Sequence, residues 1–127
     1  MAMRNCGTIL KGSGKDQTIW KLEWTFGASG AVTLDTGQSD QDPSIATPIA
    51  DGGTGIVAVV FPKCSRAWVF HRSIEAPTVG TGDQLAEVYD LNATAGTATF
   101  NVLSDALALE EATNGARARL ILLLERP

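Results

Sequence analysis

Thr18-Ile-Trp-Lys-Leu-Glu-Trp-Thr-Phe26 is the stretch from which the fold is read. Trp20, Leu22, Trp24 and Phe26 alternate with Lys21, Glu23 and Thr25. A period of two places every large apolar group on one side of a β-strand, whereas a helix would scatter them around its circumference. Each such side chain contributes about 1.5–3 kcal/mol when buried, so this strand anchors much of a core. Gly27-Ala-Ser-Gly30 follows as a short turn, and Ala31 to Asp35 as the return strand of a hairpin. Gly37 to Pro43 is polar and turn-forming, hence a loop. Ser44 to Ile49 is a further strand candidate, which Pro48 confines to a sheet edge.

Asp51-Gly-Gly-Thr-Gly55 is a turn signal, followed by a strand over Ile56 to Phe61. Pro62 to Ser65 breaks the run, and Ala67 to Ile74 resumes it. Glu75 to Asp83, with Pro77, Gly80 and Gly82, is a longer loop. Leu85 to Leu91 and Thr97 to Leu103 form a second hairpin around Asn92 to Gly96, and Ala116 to Glu125 closes the chain as a strand. Asp105 to Glu111 has helix-forming composition before an Asn114-Gly115 stop, yet is short enough for a loop with one helical turn. About eight short strands at regular spacing predict an all-β fold, an antiparallel sandwich or barrel. Residues 1–15 are expected to form a mobile N-terminal arm on this single domain.

Composition agrees with that reading and excludes several functions. The chain has 127 residues, 44% apolar and 19% charged, which is one globular domain and not a disordered segment. Thirteen Gly and five Pro suit a fold with many tight turns. A net charge of −4 with only ten scattered Lys and Arg argues against nucleic acid as a partner. No run approaches the roughly 18 apolar residues of a spanning helix, so no membrane association is expected. Met1 to Gly7 lacks the apolar stretch of a signal peptide, and Cys6 and Cys64 are expected as free thiols in a reducing cytoplasm.

Few residues form a pattern with chemistry in it. Leu34-Asp-Thr-Gly37 resembles the active-site loop of retropepsin-like aspartic proteases, in which two subunits each supply one carboxylate. The polar Gln38 to Pro43 follows where those enzymes carry small and apolar residues, and no bracing apolar-apolar-Gly segment appears later. Asp-Thr-Gly is also ordinary turn chemistry. Gly12-Ser-Gly-Lys15 lacks the earlier Gly and the following Ser or Thr of a phosphate loop. His71, the only histidine, lies in a strand beside Phe70, and the two cysteines have no neighbouring zinc ligands. These observations predict no catalytic, cofactor-binding or metal-binding residues, and a protein that is not an enzyme.

Two strands have no polar face: Ile56 to Phe61 and Leu120 to Leu124. Antiparallel sheets of small proteins usually show one face to water. Either loops shield the second face, or another copy of the chain buries it, since obligate interfaces resemble a core cut in half. The second reading makes Ile56, Val57, Val59, Phe61, Leu120, Ile121 and Leu123 candidates for self-association.

The second half of the chain also carries a resemblance. Thr54-Gly-Ile-Val-Ala-Val-Val-Phe-Pro-Lys63 and Ala86-Glu-Val-Tyr-Asp-Leu91 are followed by Ala95-Gly-Thr-Ala-Thr-Phe-Asn-Val102 and Thr113-Asn-Gly-Ala-Arg-Ala-Arg-Leu-Ile-Leu-Leu-Leu-Glu125. Together they resemble small virion proteins of tailed bacteriophages, of the capsid decoration or cement type. Ile56 stands where those proteins carry an aromatic residue. The resemblance implies a structural protein, made in the host cytoplasm, that binds the major capsid protein on the capsid surface and stabilises the assembled head. It also implies a homo-oligomer, a trimer by preference, and no cofactor. Another virion component, of tail, neck or fibre and contacting host glycans, is the alternative. Candidate contacts with the capsid are the loops at Gln38 to Pro43 and Glu75 to Asp83, together with the arm.

Overall fold

The computed structural model describes residues 8–10, 16–78 and 83–126. Within them lie nine strands: β1 (Thr8–Leu10), β2 (Gln17–Phe26), β3 (Val32–Leu34), β4 (Ile49–Gly53), β5 (Ile56–Val60), β6 (Arg66–Glu75), β7 (Leu85–Asn92), β8 (Thr97–Leu103) and β9 (Arg117–Glu125). All pairings are antiparallel. One sheet runs β1-β2-β9-β6 with β3 also on β2, the other β4-β5-β8-β7, and the two form a sandwich.

The alternation in β2 does what its sequence requires. Trp20, Leu22, Trp24 and Phe26 are all buried, and β9 answers in register with Leu122, Leu120 and Ala118 opposite the first three. Facing them from the second sheet are Val57, Val59, Phe100 and Val102. Trp24 meets Phe100 edge-to-face, with ring centroids 4.8 Å apart at 76°, so one aromatic contact links the two layers.

The edge of β2 that faces away from β9 is shared. β1 occupies it at Gln17 to Ile19 and β3 at Trp24 to Phe26. Between them the segment after β3 completes the pairing. The Asp35 and Asp40 amides donate to the Glu23 and Lys21 carbonyls (both 2.8 Å). The Lys21 amide donates to the Asp40 carboxylate at 2.8 Å, and the Glu23 amide to Ser39 Oγ at 2.9 Å. Backbone groups that would otherwise be stranded are thereby satisfied by loop residues.

Several sequence expectations shift. Ser44 to Pro48 is loop and the strand begins at Ile49: Pro48 has no amide to donate and contributes only its carbonyl, which accepts the Val60 amide at 2.8 Å. Asp51 to Gly53 belongs to β4, which leaves Thr54-Gly55 as the turn. At Gly55 φ is +69°, and a Cβ would lie 2.7 Å from the Glu110 carbonyl oxygen, so only glycine fits. Asp105 to Glu111 is a loop. Leu107 bonds back to Ser104, Glu110 to Val102, and Gln84 Nε2 clamps the Glu111 carbonyl at 2.9 Å. Seven residues with such partners available do not meet the cost of nucleating a helix. Of the expected N-terminal arm, Thr8–Leu10 pairs with β2, while residues 1–7 and 11–15 lie outside the described residues.

Candidate interaction surface

β5 and β9 each have one face in the core, and that divides the self-association candidates. Val57, Val59, Phe61 and Leu120 are at most 1% exposed and pack inside the chain's own sandwich. They are consumed by the fold and leave the candidate surface. Ile56, Ile121 and Leu123 point outward and are half-buried.

The two outer faces differ in chemistry. On the β4-β5-β8-β7 sheet, Ile56, Ala58 and Val60 are flanked by Asn101, Thr99 and Thr97 of β8, a face of small and hydroxyl side chains. On the other sheet the register aligns Ile19 of β2, Leu123 of β9 and Trp68 of β6 in one row, with Lys21, Ile121 and His71 in the next. Trp68 is 41% exposed and Phe70 69%. Phe70 is the residue left over where a bulge between Val69 and His71 shifts the register of β6, the outermost strand. This outward apolar surface is continuous across three strands.

A charged group closes one end of it. Glu23 is buried and accepts from Arg119 Nε at 2.7 Å, with Arg117 at 3.5 Å from its second oxygen, and Arg119 also lies 3.9 Å from Glu75. Arg117 and Arg119 neutralise a buried carboxylate and are not a free basic patch. The Glu23 contact also holds the Arg119 proton more firmly.

Asp35, His71 and Cys64, weighed for chemistry in the sequence, each have a hydrogen-bond partner. Asp35 Oδ1 accepts the Gly37 amide at 3.1 Å, and the Gln38 amide returns to the Asp35 carbonyl, so Asp35-Thr-Gly37 forms a self-bonded turn. His71 Nε2 lies 3.1 Å from Ser73 Oγ. Cys64 has a free, buried thiol that donates to the Arg66 carbonyl at 3.2 Å, and burial pushes its pKa up. Among the described residues no group of three or more His, Cys, Asp or Glu is placed to hold a metal ion, and no helix is long and apolar enough to cross a membrane.

Beside the edge of β2 the loop after β3 borders an open cavity of about 540 Å³, with Trp20, Leu34, Pro43 and Ile45 in its lining beside Asp40 and Asp42. The sequence offers this loop as a candidate capsid contact only because it is a polar surface loop. Its relation to Trp20 arises from the shared edge of β2, which no local pattern announces. The exposure of Trp68 was missed as well, because a Trp inside a strand pattern reads as core. Comparison with family models, with curated proteins and with solved structures finds no match for this chain.

Proposed function

We propose that this chain is a non-enzymatic capsid decoration module of a tailed phage, which associates with its own copies and clamps the assembled head. The observation that carries the self-association is the outward row of Ile19, Leu123 and Trp68 with Ile121 and Phe70 beside it. A monomer rarely leaves such a surface to water, and its rim offers both signs of charge, Lys21 against Glu75, for a second copy to complement. The phage assignment rests on the resemblance of residues 50–127. Binding only the assembled state would stabilise the head by mass action, and repeated contacts around a symmetry axis add by avidity.

Purified protein added to undecorated capsids is expected to pellet with them and raise their resistance to heat. Light scattering of the free protein is expected to show an oligomer, a trimer by preference. A dilution-independent monomer that neither pellets with nor protects the capsid overturns the reading.

One observation favours the glycan-binding alternative. Trp68, Phe70 and Tyr89 are exposed aromatics, the side chains on which sugar rings stack. Retention on immobilised host polysaccharide, lost in Trp68→Ala, with no capsid binding, would select it.

A further inference from the structure

The cavity beside Trp20 has a composition that restricts what it can take. Its volume, about 540 Å³, lies within the usual range for a specific binding site, and Leu34, Pro43 and Ile45 make it largely apolar. Asp40 and Asp42 are the ionisable groups of its lining, and no Lys, Arg or His joins them among the described residues. Asp40 Oδ2 accepts the Lys21 amide, which leaves Oδ1 without a hydrogen-bond partner among the described residues. Asp42 Oδ1 accepts from the Ser44 amide at 2.9 Å and from Ser44 Oγ at 2.8 Å. Asp40 is therefore held in place by β2 and Asp42 by the loop, each with one oxygen to spare among the described residues. A third polar group completes the set: Trp20 is 1% exposed, lines the cavity, and its Nε1 has no acceptor among the described residues.

We propose that this cavity seats a peptide segment of the capsid surface carrying a Lys or Arg next to an apolar residue. The cationic head group would meet the spare oxygens of Asp40 and Asp42, and its methylene stem the walls at Leu34 and Ile45. A backbone carbonyl of the same segment would supply the acceptor that the buried indole lacks, which a simple amine does not. That the peptide belongs to a capsid rests on the function proposed above; the chemistry of the seat does not.

The test separates the two. Nuclear magnetic resonance titration of the full-length protein uses three blocked tripeptides, acetyl-Leu-Lys-Leu-amide and its Glu and norleucine counterparts, with butylamine as control. The Lys peptide is expected to shift the Trp20 indole signal saturably, while the other three do not. Asp40→Asn with Asp42→Asn is expected to weaken that binding on the order of tenfold, the usual effect of losing a charge-assisted contact. Ala46→Phe, which leaves both carboxylates and obstructs the cavity, should weaken it as well. Equal shifts from all probes, no shift, or unchanged affinity in both variants overturns the seat. Butylamine binding as well as the peptide overturns the peptide assignment. On capsids, decoration by the wild type and its loss in both variants supports the whole proposal, whereas undiminished decoration overturns the seat's role there. Peptide binding without any capsid binding supports the seat and overturns the capsid reading.

Discussion

Asp40 is a carboxylate placed where its charge is poorly solvated. Burial pushes its pKa up, only partly opposed by the Lys21 amide and the Lys21 charge. A raised carboxyl pKa means that the native state binds this proton more tightly than the unfolded chain does. The stabilising contribution is then complete below the unfolded value and is lost as pH rises through the raised native value. Asp40→Asn carries no such term and can still accept the Lys21 amide. Urea denaturation is expected to show its stability relative to the wild type increasing from pH 3 to pH 7. A difference independent of pH would contradict this account. At the same scale, Asp35 shows what a suggestive triplet does locally. Its Oδ1 accepts the Gly37 amide, a bond visible in Asp-Thr-Gly as turn propensity and common to ordinary turns and catalytic loops alike.

Among the elements, β9 shows most clearly how one strand serves two environments. Ala118, Leu120, Leu122 and Leu124 are buried, while Arg117, Arg119, Ile121 and Leu123 alternate outward. Leu122→Ala is expected to destabilise the chain by about 2–5 kcal/mol, because it opens a cavity under Trp20 and Val69. Ile121→Ser, on the other face, is expected to cost the folded chain little while lowering the oligomer mass seen by light scattering. Comparable unfolding losses in both variants would mean that the outward face does not differ from the core. The strand itself was legible in Leu120 to Leu124, but its apolar run concealed the phase. An uninterrupted run of Leu and Ile does not say which residues face the partner sheet. Only the pairing with the alternating β2 does.

Across the whole molecule the two sheets are joined chiefly by apolar contact. Trp24 and Phe100 meet at the centre, and at the margin Arg72 of β6 donates to the Ala86 carbonyl at 3.0 Å and pairs with Glu87 at 3.2 Å. The Arg72 pair is solvent-exposed and contributes at most about 1 kcal/mol. A double-mutant cycle of Trp24→Leu and Phe100→Leu is expected to give a coupling of about 0.5–1.5 kcal/mol, the range of an aromatic pair. Additive losses would show that the rings merely fill space. The connection from β3 to β4 crosses between sheets where the cavity forms, so the candidate seat is a consequence of how the layers are joined.

The sequence by itself determined that the chain is all-β, most of its strands (β1 and the span of β4 excepted), and where most turns fall. Period-two alternation and glycine at left-handed turns are local rules that need no partner. Tertiary structure decided the rest. It assigned Val57, Val59, Phe61 and Leu120 to the core and left Ile56, Ile121 and Leu123 outside. It turned Trp68 and Phe70 toward solvent and brought Asp40 to Trp20 across the edge of β2. These outcomes depend on register and on the packing of one sheet over the other, which join residues far apart in the chain and leave no mark in any short window of it.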